Sequence, residues 1–261
     1  MFIPLHDRNS LRHIKRQYVT FTIILINVFV WLFAGLLSGE EASQTITAGL
    51  GYIPAIFFNN ATLEPALVLV PEDWTYLTYA FLHVDGMHLA SNMLFLWVFG
   101  DNVEDAMGHL RYLAFYLLCA AAGALVHGLV VPLSEAPLIG ASGAISGVIA
   151  AYVILHPKVR VWVLVMFRFP LPLPAFIPLI FWIAQQFYML AIDRDGSVSW
   201  GAHVGGILAG ALLVLILRRR GVPLWDRTIV TPKAVVHETR APEEIVTVPK
   251  IQPKNPVRWG R

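Results

Sequence analysis

Residues 18–37 read YVTFTIILINVFVWLFAGLL, twenty positions without one charged side chain. An α-helix rises about 1.5 Å per residue, so this run is long enough to cross a bilayer core of roughly 30 Å. The segment before it is basic, with Arg8, Arg12, Lys15 and Arg16, a flank shared by signal peptides and retained spans. The run is long for a cleaved hydrophobic region and no A-x-A-type cleavage site follows it. It reads as a retained transmembrane helix.

Five more apolar stretches follow, at about 77–100, 112–131, 140–155, 173–192 and 200–217. The fourth is short for a membrane crossing and is expected to start below one surface. The stretch 161–172 is apolar but interrupted by Arg168, Pro170 and Pro172, and reads as an interfacial lead-in to the fifth span. Composition agrees with this pattern. The 261 residues are 57% hydrophobic and 14% charged, with a mean hydropathy of +0.63, against about 45–50% and 25% for a soluble domain. The net charge of +2, with no basic stripe, excludes a nucleic-acid partner. The single cysteine, Cys119, excludes an internal disulfide and a thiolate metal cluster. The expected fold is therefore an all-α, polytopic bundle of six transmembrane helices in a lipid bilayer.

Six spans put both termini on one side, and the positive-inside rule selects it. Arg111, Lys158, Arg160, Arg168, Arg218, Arg219, Arg220 and the basic N-terminus fall on the cytoplasmic side, whereas the opposite loops carry only Arg194. The organisation expected is a cytoplasmic segment 1–17, a six-span domain 18–217 and a flexible cytoplasmic tail 218–261. The tail is dotted with prolines from Pro223 to Pro256 and sustains no helical period.

Polar side chains at membrane depth are costly, and so are functional candidates. Spans two, four and six all run from outside to inside, and His88, Ser142 and His203 lie in their N-terminal parts. One hydroxyl and two imidazoles thus reach a common level toward the outer leaflet. Ser142 opens a helix, where its backbone N–H is unpaired and the partial positive charge favours an anion. Gly206 and Gly210 form a small-xxx-small face. If that face packs on span four, His203 becomes a general base for Ser142. His88 and Asn92, spaced i, i+4, share a helix face and could join the Ser142 N–H as donors to an oxyanion. Each residue also has a plain reading. The Ser142 region reads equally as small packing residues, His203 as a structural histidine, and His88 with Asn92 as an interhelical pair. His127 reads as structural, and Gln185 and Gln186 as bonding neighbours or facing a cavity. Asp101, Glu104 and Asp105 lie at the opposite end of span two, and Asp193 and Asp195 lie in an outer loop. A triad acid is therefore missing, which leaves a Ser–His dyad. No H-E-x-x-H occurs, and neither a metal nor a cofactor is expected.

These residues resemble the rhomboid family of intramembrane serine proteases over about 15–220. The motifs are H-x-x-x-N at 88–92, G-x-S-G at 140–143 and A-H-x-x-G at 202–206, with Glu104, Gly108 and Arg111 similar to the turn after span two. The resemblance implies Ser142 as nucleophile, His203 as its base, and His88, Asn92 and the Ser142 amide as the oxyanion hole. It implies a serine endopeptidase that needs no cofactor and cleaves transmembrane segments of single-span or polytopic membrane proteins near the outer leaflet. Span five then corresponds to a lateral gate and 38–74 to a membrane-embedded loop. Two positions depart from the family pattern. The Trp-Arg pair of that loop is absent, and position 146, where an aromatic often stacks on the catalytic histidine, is Ser146. The expected location is a prokaryotic inner membrane, with both termini cytoplasmic.

Overall fold

The computed structural model describes residues 2–166, 168–193, 196 and 198–226. The proline-dotted stretch 227–261 lies outside the described residues. The order of elements is β1 (Phe2–Asp7), α1 (Tyr18–Val30, continued as a π-helical segment Trp31–Leu37), α2 (Glu40–Leu50), α3 (Pro54–Phe57) and α4 (Thr75–Thr78). There follow α5 (Gly86–Met107), α6 (His109–Val130), α7 (Ser142–Leu155), β2 (Arg160–Val165), β3 (Phe169–Pro174), α8 (Phe176–Ile192) and α9 (Trp200–Leu217). Among the described residues three helices are long and apolar enough to cross a membrane: Tyr18–Leu37, His109–Val130 and Trp200–Leu217. Ser142–Leu155 and Phe176–Ile192 are shorter apolar helices.

Helix α7 sits at the centre, with nearly every residue buried. It packs against α5, α6, α8 and α9. Its approach to α9 depends on glycine, because a Cβ on Gly206 would overlap the carbonyl of Gly143, and one on Gly210 that of Gly147. The small-residue face read in the sequence thus finds α7 as its neighbour, and the two backbones touch without intervening side chains.

The second apolar stretch is not one helix. From Thr75 the chain makes one α turn and a 3₁₀ turn (Tyr79–Phe81), extends at Leu82, and restarts at Gly86. The restart is set by Asp85, whose side chain accepts the His88 N–H at 2.7 Å as an N-cap. Hydropathy runs on across such a cap, which is why 77–100 was expected as one span. At its other end α5 continues to Met107, because its carboxylates are used internally. Glu104, fully buried, accepts the N–H groups of Val19 and Thr20 at 3.0 and 2.8 Å and the Thr20 hydroxyl at 2.7 Å. It therefore caps α1, whose own N-cap residue supplies no side-chain bond. Asp105 receives the N–H groups of Arg12, His13 and Ile14. Glu104→Ala would leave those buried first-turn donors without an acceptor and His109 without its partner. The expected loss of stability is about 3 kcal/mol. It can be read in detergent as a lowered thermal midpoint with a thiol-reactive dye on Cys119, which is buried until the protein unfolds.

The all-α expectation is corrected by a three-stranded antiparallel sheet of order β1-β2-β3. The stretch expected as an interfacial lead-in is a hairpin, with Val161 opposite Leu173 and Val165 opposite Phe169. Its first strand, RVWVLV, has the branched and aromatic residues that favour extended backbone. Its second alternates Pro170, Pro172 and Pro174, which is compatible with a ladder because β3 is an edge strand, where alternate N–H groups face away from the partner. Residues 2–7 supply the third strand, with a bulge between Pro4 and His6.

Strand β1 ends on Asp7, whose buried carboxylate accepts the Tyr152 hydroxyl at 2.7 Å and Asn102 Nδ2 at 3.0 Å. Burial is the larger influence and pushes its pKa up to about 7, with the Asp101 charge adding to the shift. A carboxyl with a raised folded-state pKa favours folding when protonated, and that contribution is lost as pH rises from the unfolded value of 3.8 toward 7. Asp7→Asn keeps an acceptor for Tyr152 and removes the titration. Its thermal midpoint relative to the parent is expected to rise progressively from pH 4 to pH 7 and level off above. A difference that is flat with pH would refute this account.

Candidate active site

The entry to α7 depends on Gly140, whose φ of +118° is a conformation that side-chain-bearing residues rarely adopt. Its N–H donates to the Tyr79 carbonyl at 3.0 Å, and the Tyr79 hydroxyl donates to the Ala120 carbonyl at 2.8 Å. The turn is thereby tied to both the 3₁₀ segment before α5 and to α6. Ser142 is the first residue of α7, so its N–H has no partner within the helix.

His203 lies in the first turn of α9. Its Nε2 is 2.9 Å from Ser142 Oγ, a distance made possible by the glycine contact between α7 and α9 one turn further in. Its Nδ1 is 2.8 Å from Gln186 Oε1 on α8. Trp182 and Trp200 flank the ring, with centroids 6.1 and 5.9 Å away. Trp200 is tied in turn to Asp193, which accepts its indole N–H at 3.1 Å. Ser146 donates to the Ser142 carbonyl at 2.6 Å.

His88 reaches the same turn from α5. A Cβ on Gly140 would lie 3.0 Å from His88 Nε2 and 3.9 Å from Ser142 Oγ, so the missing side chain is what lets the imidazole come up to the serine. Asn92 follows one helical turn later and is 7% exposed. Its Nδ2 and the Nδ1 of His88 are buried without a hydrogen-bond partner. Buried polar groups are normally paired, so these two nitrogens keep hydrogen-bonding capacity that no other described residue uses. His83, which carries no catalytic expectation, packs against His88 with ring centroids 5.1 Å apart. Among the described residues no three His, Cys, Asp or Glu side chains come together as metal ligands.

His203 and Ser142 are thus brought into contact and His88 reaches Gly140 beside them, while Asn92 lies one turn along α5 from His88. The sequence reading did not single out Gln186, Trp182 or Trp200 as neighbours of His203. The signal available for Gln186 was an amide in an apolar helix, which does not say which of its faces turns inward.

A family model described as "Rhomboid domain" matches residues 71–220. The chain is 33% identical over 137 residues to "Rhomboid protein 1, mitochondrial" of Saccharomyces cerevisiae, a match covering 51% of this chain and 38% of the yeast protein. It is 29% identical over 217 residues to "Rhomboid protease AarA" of Providencia stuartii, covering 75% and 70% of the two chains. It is 28% identical over 198 residues to "Rhomboid protease GluP" of Bacillus subtilis, covering 75% of this chain and 35% of the other. The chain therefore spans well under half the length of the yeast and B. subtilis relatives.

Proposed function

This chain belongs to the rhomboid family, and from that premise we propose that it is a serine endopeptidase cutting transmembrane segments of single-span or polytopic membrane proteins near the outer leaflet. The observation that carries the reading is the 2.9 Å approach of His203 Nε2 to Ser142 Oγ. Ser142 Oγ attacks the scissile carbonyl carbon while His203 Nε2 takes its proton. The carbonyl oxygen becomes an oxyanion, held by the Ser142 N–H, Asn92 Nδ2 and His88. Collapse breaks the C–N bond, and His203 returns its proton to the leaving amine. Water then hydrolyses the acyl-enzyme with His203 again as base. No cofactor enters these steps. A helical substrate has its carbonyls paired, so the cleaved segment must unwind, and helix-breaking residues near the outer face favour cleavage.

The chain is a membrane protein. The six helices α1, α5, α6, α7, α8 and α9 are taken as its spans, with both termini cytoplasmic by the positive-inside rule. On this reading the domain 18–217 carries the chemistry, and 218–261 contributes none of the site residues. The relatives include a mitochondrial protein as well as bacterial proteases, so they give a prokaryotic inner membrane no preference over an organellar one.

The test is purified protein in detergent with a single-span substrate, comparing the parent with Ser142→Ala and His203→Ala. Site-specific cleavage by the parent and none by either variant is the expected result. Cleavage that persists in Ser142→Ala overturns the mechanism, and an inert parent turns the reading toward a client-binding relative without protease activity.

A further inference from the structure

The dyad reading leaves open what fixes the ring of His203. A general-base histidine must present a bare Nε2 to the serine hydroxyl, so Nδ1 must carry the proton, and in triads a carboxylate on Nδ1 enforces that tautomer. Here the atom on Nδ1 is the Oε1 of Gln186, at 2.8 Å, and the glutamine is 2% exposed. The orientation of its amide is not arbitrary. The other end of the group is 2.9 Å from the Trp182 carbonyl, and a carbonyl can only accept, so the NH₂ must face Trp182 and the oxygen must face His203. An oxygen without a hydrogen can only accept from Nδ1–H. The tautomer is therefore dictated two bonds away, by a backbone carbonyl of α8.

Resting on the serine-protease reading, we propose that Gln186 is the positioning residue of the site, a neutral third member that holds His203 as the Nδ1–H tautomer with Nε2 free for Ser142. It takes the place of the missing acid, while Trp182 and Trp200 flank the ring to which Ser146 offers no aromatic. It also makes the base depend on where α8 sits, because Pro178, Leu179 and Gln186 are the buried residues of that helix. A misassigned tautomer at a charged orienting group costs ~10⁴-fold in kcat. A neutral amide gives less, and its removal is expected to cost about 10²-fold.

The experiment compares Gln186→Met, which keeps length but offers only a weak thioether acceptor for Nδ1–H, with Gln186→Glu, whose carboxyl offers an acceptor oxygen in either protonation state. The readouts are cleavage kinetics, the rate of fluorophosphonate labelling of Ser142, and the thermal midpoint reported by Cys119. Gln186→Met is expected to lower kcat and the labelling rate together, with KM within about threefold of the parent, while Gln186→Glu recovers most of both. Independently, a ¹⁵N spectrum of histidine-labelled parent protein, assigned by the signal lost in His203→Ala, is expected to show His203 protonated at Nδ1. Parent-like labelling and kcat in Gln186→Met overturn the proposal, as does an equal fall in both variants or a His203 protonated at Nε2. A parent that is not labelled at all overturns the serine-protease reading and takes this proposal with it.

Discussion

Ser142→Ala, His203→Ala and the double variant are expected to fall to the same residual rate of cleavage, about 10⁴–10⁶-fold below the parent. The equality is the informative part. Nucleophile and base act in one proton transfer across the 2.9 Å contact, so removing either abolishes that transfer, and removing the second has nothing left to abolish. Two residues with separate structural roles would instead show losses that multiply. The variants differ in a second measurement. Ser142→Ala has no oxygen for a fluorophosphonate to attack and is expected to show no adduct. His203→Ala keeps the oxygen, still next to the unpaired donors, and is expected to be labelled slowly. Both should keep the parent's thermal midpoint within a few degrees, since Ser142 is a small side chain at a helix opening and His203 lies near the end of α9. Additive losses in the double variant, or full labelling of Ser142→Ala, would contradict the assignment.

What the sequence made legible was whatever has a short-range signature. Runs without charge located Tyr18–Leu37 and Trp200–Leu217, and the short apolar run from Gly140 located α7. The candidate site residues His88, Asn92, Ser142 and His203 are conspicuous for the same reason, since an apolar chain has few polar groups. Three features were not legible, each for a physical reason. Hydropathy cannot see an N-cap, so Asp85 was absorbed into a span it in fact begins. Strand pairing between residues 2–7 and 160–165 joins segments more than 150 positions apart, and neither FIPLHD nor RVWVLV carries a clean alternation of apolar and polar residues. Gln186 could not be told from Gln185, because only the rotation of α8 decides which of two adjacent amides meets His203. Carboxylates mislead in the same way. Glu104 looks like an end-of-helix charge and is a buried cap on another helix.

Asn92→Leu, which keeps the branched shape and removes the donor, is expected to lower kcat by about 10²–10³-fold with KM little changed. The Nδ2 of Asn92 is buried with no partner, and a buried unsatisfied donor costs about 1–3 kcal/mol in the resting protein. Removing it sacrifices no hydrogen bond to another described residue, and the thermal midpoint of Asn92→Leu should stay close to the parent's. In the transition state the carbonyl oxygen takes on negative charge and becomes a strong acceptor, so the same donor gains a bond it could not make earlier. An interaction absent from the ground state and present in the transition state appears in kcat rather than in KM. Asn92→Asp should be as slow as Asn92→Leu, because it puts an acceptor where a donor is required. A structural role for Asn92 predicts the opposite pair of results, a lowered midpoint with kcat preserved. A rate that falls while stability holds is thus the signature that separates an oxyanion donor from an interhelical bond at this position.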